Sequence, residues 1–366
     1  MDWKRHDWAS AGAVLFCLAG FSLFVAALRV FGLLGSSPDE LAPFAGLAFA
    51  MLVEHAVLIP YNKPSTISRI YNNCNTSLQC DLFYVFVYGT GIAAFLINIT
   101  FPGLVLTALR NAGMQSAGLL SHIIPSNYVI YTGVYLLLRD LAQYVAHLAM
   151  HKVPFLWHFH KLHHAATDYN VLLNVRHSLG EDAIKRLFDV SLMLLLFGLI
   201  NPVYVFTLLV VTQFLDSFAH ADLPWSYGWL GRIFVSPRFH RLHHSSEAVD
   251  HNSNYGELFS LWDFAFGTVN ARYRIDSTVA DHVRVGLQDG EDGCINANWK
   301  WSLLDNSVPV SVWRLRKWLF ERTTPNSLSP GPYVWPLVWA QKIPSTDAPN
   351  ADPDVRSLRS ALSDPS

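Results

Sequence analysis

Long apolar stretches separated by short basic ones run through the first 220 residues of the chain. A helix that crosses a bilayer takes roughly 20 mostly apolar residues. Ala9–Leu34 qualifies, with only Arg29 inside it near one end. A signal peptide is the other reading of that stretch. Its apolar run exceeds the usual core of roughly 7–15 residues, and the next run follows closely, which favours a retained helix. Leu41–Pro60 qualifies less cleanly because Glu54 and His55 sit within it. Leu82–Leu109 holds no charge, and Pro102-Gly103 predicts that the helix ends or bends there. Tyr128–Met150 is interrupted by Arg139-Asp140. Val190–Leu215 is uncharged but broken at Asn201-Pro202, where proline suits the first turn of a new helix. That pattern predicts two helices, near 188–200 and 202–220, as a hairpin dipping into the bilayer.

Basic residues orient the set. Lys4 and Arg5 precede the first stretch, Lys63 and Arg69 follow the second, and Lys152, Lys161, Arg176, Lys185 and Arg186 follow the fourth. Loops rich in Lys and Arg stay cytoplasmic, so the N-terminus and these loops are expected on that side. Residues 1–150 thus read as membrane helices, 151–187 as a first histidine-bearing segment, 188–220 as the hairpin and 221–342 as a cytoplasmic cap. Within the cap, Ser311–Arg322 reads either as an interfacial helix or as an ordinary cap helix. Residues 343–366, dominated by Pro, Ser, Asp and Ala, are expected to be disordered. The predicted fold class is all-α: a multi-pass helical bundle of about four spans plus a hairpin, with a histidine-rich cap.

Composition agrees with lipid as part of the solvent. Only 15% of residues are charged and 51% are apolar, with a mean hydropathy of +0.24, whereas soluble domains carry about 25% charge. A formal net charge of −2 argues against a nucleic-acid binder. Four cysteines exclude a disulfide scaffold, and Cys74 and Cys80 read as plain thiols. The unusual count is histidine, at 16.

Those histidines fall into three clusters: His147/His151, His160/His163/His164 and His240/His243/His244. Spacings of three and four place side chains on one helix face, so each cluster can aim two imidazoles at one ion. Adjacent histidines diverge by roughly 100° on a helix and can serve two different ions. Eight imidazoles are too many for one metal and suit two. Imidazole accepts Fe, Zn, Cu or Ni, and no cysteine joins the motifs. Asp140, Tyr144, His147 and His151 form one helical stripe, and Asp216 lies four residues before His220. Asp140, Tyr144 and Asp216 are therefore candidate outer partners of the ligands, with Glu181 and Asp263 as weaker ones. For Arg139-Asp140 a structural ion pair is an equal alternative.

HxxxH, then HxxHH, then a later HxxHH on a chain of this kind resembles the fatty acid hydroxylase/sterol desaturase superfamily. The stretches HKVPFLWHFHKLHHAATDYN, NVRHSLGED, SPRFHRLHHS and NYGELFSLWDFAFGT carry the same resemblance, over roughly 140–270. Leu148 stands where members often have Arg, and Ser178 where Pro is common. The resemblance implies a non-haem dimetal centre of two iron ions, with zinc possible as purified. Its eight core ligands would be His147, His151, His160, His163, His164, His240, His243 and His244, with His220 as a further ligand and His177 as a tenth candidate. Asn254 is either a ligand or a loop residue, the loop reading being favoured. YNVLLNVR is more similar to alkylglycerol monooxygenase-type and bacterial members than to sterol desaturases.

The expected activity is O2-dependent hydroxylation, or desaturation, of a fatty acyl, alkylglycerol or sterol lipid. It would take place at the cytoplasmic face of a bacterial inner membrane or endoplasmic reticulum. A non-enzymatic metal carrier is the alternative, disfavoured because the clusters sit at helix ends rather than on broken helices at midplane depth. A zinc hydrolase would need a placed carboxylate base, and no HExxH motif exists. Breaking a C–H bond with O2 needs outside electrons. The chain has no dinucleotide fingerprint and no iron–sulfur cysteine spacing. A separate donor, a cytochrome or ferredoxin with its reductase, is therefore expected, steered toward Arg232, Arg238 and Arg241. The partners are thus a lipid substrate, the membrane and this donor, with no nucleic acid.

Overall fold

The computed structural model describes residues 38–98, 118–120, 122–124, 127–198 and 212–287, all within the first of two units, Met1–Lys317 and Trp318–Ser366. Ala9–Leu34, Pro102-Gly103, Asn201-Pro202, Ser311–Arg322 and the 343–366 tail lie outside the described residues. Among the described residues the protein is helical and has no strand, only an isolated bridge between Ser245 and Val285.

Glu54 and His55 do not break the second apolar stretch, because each has a partner. Helix α1 (Pro38–Leu58) buries the Glu54 carboxylate, which accepts from Thr66 N at 2.7 Å and Asp222 N at 3.0 Å. His55 Nδ1 meets Ser65 Oγ at 2.7 Å, and Ser65 caps α2 (Thr66–Asn72). Phe44–Tyr61 is the one helix among the described residues long and apolar enough to cross a bilayer. Its exposed positions Ala48, Leu52 and Ala56 recur every four residues, an apolar stripe along one side.

The third apolar stretch departs from expectation. Helix α3 (Thr76–Gly89) begins six residues before Leu82, capped by Asn75 Oδ1 on Leu78 N at 2.9 Å. The chain then turns at Gly91, whose φ of +76° suits a residue without Cβ, before α4 (Ile92–Asn98). A break thus comes at Gly-Thr-Gly, inside the stretch.

Helix α5 (Tyr128–Lys152) runs unbroken through Arg139-Asp140 because the two side chains leave in different directions. Arg139 Nε pairs with Asp189 Oδ2 at 3.1 Å. The buried Asp140 carboxylate instead accepts from Leu258 N (3.0 Å), Phe259 N (3.1 Å) and Trp262 Nε1 (2.9 Å). It is therefore a clamp that fastens the C-terminal region to the middle of α5. Helix α6 (Pro154–His164) follows after Val153, with proline in its first turn.

Helix α7 (Leu179–Phe197) starts well before the expected 188. Ser178, standing where proline is common, accepts from Glu181 N at 3.1 Å and starts the helix early. At its other end, Leu119 N and Leu120 N donate to the carbonyls of Leu195 and Leu196, at 3.0 and 2.8 Å, satisfying groups a helix terminus leaves open. Helix α8 (212–219) ends at His220. The chain from 221 to 287 is mostly turns, with α9 (Pro237–His243), α10 (Leu261–Phe266) and α11 (Ala271–Ile275).

One core joins α1, α3 and α8 through Leu47, Leu78, Phe214 and Phe218. Arg176, fully buried, reaches Asp81 of α3 at 3.2 Å and the Leu162 carbonyl of α6 at 2.9 Å. A buried charge is tolerated only when paired and hydrogen-bonded, and this pair fixes the last turn of α6 against α3.

Replacing Asp140 by alanine would orphan two buried backbone donors, each costing about 1–3 kcal/mol, and the half-buried Trp262 indole. The expected result is a loss of several kcal/mol, read as a lower unfolding temperature and earlier proteolysis of the 221–287 region; Asp140→Asn, which still accepts, loses less.

Candidate metal centre

Three helix ends converge. Helix α5 contributes His147 and His151 one turn apart, α6 contributes His160, His163 and His164, and α9 with its cap contributes His240, His243 and His244. His220, at the end of α8, joins them. Two groups form, each with ligand atoms within 4.8 Å of one another: His147, His151, His160, His164 and His243; and His163, His220, His240 and His244. The two HxxHH motifs exchange members. Each gives its first and last histidine to one group and its middle one to the other, so that His164 and His244 stack at 4.5 Å between the groups.

Hydrogen bonds on the far side of several rings set their tautomers. His147 Nδ1 donates to the Tyr255 carbonyl (2.8 Å), His160 Nδ1 to Glu181 Oε1 (2.9 Å), His243 Nδ1 to the Ser253 carbonyl (2.8 Å) and His220 Nδ1 to the Asp216 carbonyl (2.9 Å). A neutral ring that donates through Nδ1 presents a lone pair at Nε2. Yet the Nε2 atoms of His147 and His160 face each other at 3.0 Å, and those of His220 and His163 at 3.4 Å. His240 Nε2 lies 2.9 Å from His220 Nε2 and 3.1 Å from His244 Nε2. Nε2 of His151 and of His243 is buried with no partner at all.

Lone pairs pressed together in a dry site call for a cation. Protons do not suit it. Burial, followed by the neighbouring imidazoles, holds His160, His163, His164, His240 and His244 well below the ordinary histidine value, and burial pushes His243 down to about 4 against the opposing pull of the Ser253 carbonyl. Metal does: nitrogens about 2.0–2.1 Å from one ion lie roughly 2.8–3.4 Å apart in octahedral or tetrahedral arrangements. The donor set is all imidazole, which suits iron or zinc.

The other expected residues fall at different distances from the cage. Glu181, fully buried, holds His160 directly. It is itself held by Lys185 Nζ at 3.2 Å, which Glu257 secures at 2.9 Å. Burial raises Glu181, against the opposing pull of His177 and Lys185. His177 is in neither group; its Nδ1 lies 3.4 Å from Glu181 Oε1, and its ring packs against His163. Asp263 acts one step further out. It accepts from Tyr255 N (2.8 Å), Gly256 N (2.7 Å) and Thr268 Oγ1 (2.6 Å), which fixes the carbonyl that holds His147. Tyr144 Oη reaches Thr268 Oγ1 at 2.8 Å, in the same network. Asp216 serves His220 through its backbone carbonyl. Asn254 is a loop residue at φ +58°, accepting from Asn270 N and donating to the Phe239 carbonyl.

Asp140 accepts three hydrogen bonds, all from the 258–262 segment and none from a histidine. Two of the three arginines expected to steer a partner are engaged within the fold. Arg238 pairs with Asp281, and Arg241 pairs with Asp222 while lying over the Tyr169 ring. Arg232 stays exposed. The carbonyls of Tyr255 and Ser253 escaped sequence reading because a backbone acceptor has no side-chain signature. The only hint was the Asn-rich turn before Tyr255, where Asn252 and Asn254 take positive φ.

Among the described residues, the fold and site define a helical protein with two adjoining histidine clusters that could hold metal. The sequence profile of the family described as Fatty acid hydroxylase matches residues 132–268, a region that contains every clustered histidine. The chain is 33% identical over 193 residues to ornithine lipid hydroxylase OlsE of Rhizobium tropici, covering 52% of this chain and 56% of that one. It is 30% identical over 147 residues to alkylglycerol monooxygenase of Caenorhabditis elegans, covering 39% and 28%. It is 32% identical over 162 residues to cholesterol 25-hydroxylase of Mus musculus, covering 42% and 48%. The match thus spans about half, or less, of the length of these curated relatives. No solved structure matches the chain.

Elemental analysis of purified protein is expected to find about two transition-metal ions per chain, and His163→Ala or His244→Ala to lower that content. Because folding depresses these imidazoles, protons compete late. Metal content should persist as pH falls past the free-histidine value of about 6.5 and drop only toward about 4, the value to which burial pushes His243.

Proposed function

We propose that the protein is a multi-pass membrane oxidoreductase that uses two iron ions and O2 to hydroxylate a lipid. The observation that carries this is the pair of buried groups of imidazoles whose Nε2 atoms turn toward one another, with the lone pairs of His147 and His160 opposed at 3.0 Å. The hydroxylases and monooxygenase it resembles support the reading, since their names specify lipid substrates: an ornithine lipid, an alkylglycerol and cholesterol.

His147, His151, His160, His164 and His243 would hold one ion, and His163, His220, His240 and His244 the other. When bound, the metals supply O2 activation and the capacity to oxidise an unactivated C–H bond. The chain supplies orientation and dryness. The carbonyls of Tyr255, Ser253 and Asp216 and the Glu181 carboxylate keep four rings turned with Nε2 inward. Eight of the nine histidines are at most 5% exposed, which keeps bulk water away from the reactive species. His177, beside Glu181 and Asp182, is a positioning group for Glu181 in this reading.

The multi-pass topology is supported by the surfaces of the helices. On α5, every exposed residue before the terminal Lys152 is apolar or glycine: Val129, Ile130, Gly133, Leu137 and Val145. Its polar groups Asp140, Gln143 and His147 are buried. On α7 beyond Arg186 the exposed residues are Phe188 and Leu195. A helix with its polar side chains inward and its apolar ones outward suits lipid.

Hydroxylation places one atom of O2 in the product and one in water, and needs two electrons and two protons from outside the substrate bond. A cytochrome or ferredoxin with its reductase would supply the electrons. The test is iron-loaded protein in vesicles containing candidate lipids, with isotope-labelled O2. Labelled hydroxylipid should form over multiple turnovers only with a donor and reductase added. Multiple turnovers with NAD(P)H alone would overturn the separate donor. No labelled lipid from any class, with both metals retained, would overturn the hydroxylase.

A further inference from the structure

Between residues 256 and 268 every exposed residue is apolar or glycine: Leu261, Ala265, Phe266 and Gly267. The acids of this stretch turn inward. Asp263 takes the N–H groups of Tyr255 and Gly256, and Glu257 takes Lys185. A water-facing loop does the reverse, since Asp and Glu are mostly exposed. The preceding turn adds Trp229 and Ile233, 53% and 37% exposed. It is fastened to the same stretch by Ser260 Oγ on the Gly231 carbonyl (2.8 Å) and Val235 N on the Leu258 carbonyl (3.0 Å). Scattered exposed apolar residues need no explanation, but a cluster on two adjoining turns marks a contact surface.

The place where the cluster hangs indicates what covers it. Asp140 holds Leu258, Phe259 and Trp262 at the middle of α5, twelve residues before Lys152, or about 18 Å along the helix. Phe266 stacks on Tyr144 of the same helix with ring centroids 5.5 Å apart. The exposed residues of α5 beside this level, Leu137 and Val145, are themselves apolar. The cluster therefore continues the apolar surface of α5 rather than interrupting it. Trp229 beside the exposed Arg232 has the composition found where a protein meets a bilayer interface.

We infer that Trp229, Ile233, Leu261 and Phe266 form a lipid-contacting surface, sunk into the leaflet on the side of the histidine clusters. The region from 221 to 287 then leans into the membrane beside α5 instead of standing clear of it. A lipid chain lying along this surface at the level of Asp140 is about 10 Å along α5 from His147. This rests on the reading of α5 as a membrane helix in the proposed function.

The test uses the full chain in phosphatidylcholine/phosphatidylglycerol vesicles, in a background whose native cysteines are replaced by alanine and whose metal content matches wild type. A nitroxide is placed at Leu261→Cys, Phe266→Cys or, as reference, the exposed Ala248→Cys. Positions 261 and 266 should show several-fold higher collision with O2, relative to water-soluble chromium oxalate, than position 248. Access to chromium oxalate equal to that at 248 would overturn the inference. So would broadening between labels that fades when labelled protein is diluted with unlabelled protein, which would mean a second copy covers the patch. Neither readout depends on turnover, so a failed hydroxylase assay leaves this result standing, and a failed accessibility result leaves the metal content standing.

Discussion

Everything in this structure is arranged around imidazole lone pairs that face one another without water between them. His147 and His160 each spend their Nδ1 hydrogen outward, on Tyr255 and Glu181, and meet nitrogen to nitrogen at 3.0 Å. Such contacts are repulsive without a cation, and burial keeps protons away. The fold must therefore hold the rings in place by other means. Helix α6 is secured by the buried Arg176–Asp81 pair through the Leu162 carbonyl. Helix α5 is clamped through Asp140.

This division of labour explains where charge is found. A chain with 15% charged residues nevertheless buries Glu54, Asp81, Asp140, Arg176, Glu181 and Asp263. An isolated buried charge is costly. None of these is isolated: each accepts or donates to backbone groups of a distant segment, or pairs with an opposite charge. In Lys185, burial alone would lower the ammonium, but Glu257 and Glu181 together raise it. The polar interior works as stitching between helices whose outer faces are apolar.

The histidine clusters were legible in the sequence because helical spacing carries direction. Three- and four-residue intervals on α5, α6 and α9 send side chains to one side, and adjacent histidines must diverge. The exchange between the two HxxHH motifs follows from that divergence once α6 and α9 face each other. What the sequence concealed was carried by backbone. The carbonyls of Tyr255 and Ser253 leave no side-chain signal. The early start of α7 depends on the Ser178 cap, and the turn after α3 on glycine at Gly91. Asp140 was visible as a charge in an apolar run and sits on the same helical stripe as His147. Its partners, however, are two main-chain N–H groups and an indole more than a hundred residues away, which spacing cannot reach.

The two groups of histidines are related by the motif exchange but not equally supported. In the first, three rings have an external acceptor at Nδ1: Tyr255 O, Glu181 and Ser253 O. In the second, only His220 has one, while His163, His240 and His244 leave Nδ1 buried and unpaired. External partners fix ring orientation and raise ligand basicity, and their loss typically costs about 10–100-fold in metal affinity. The first group is thus the one whose rings are held mainly by acceptors outside the cluster. The second is also the one whose rings approach Tyr169, at 6.1 Å from His220 and 5.7 Å from His244, with Arg241 lying over the Tyr169 ring at 5.3 Å. Near-symmetry in the histidines is thus combined with asymmetry in the hydrogen bonds that orient them.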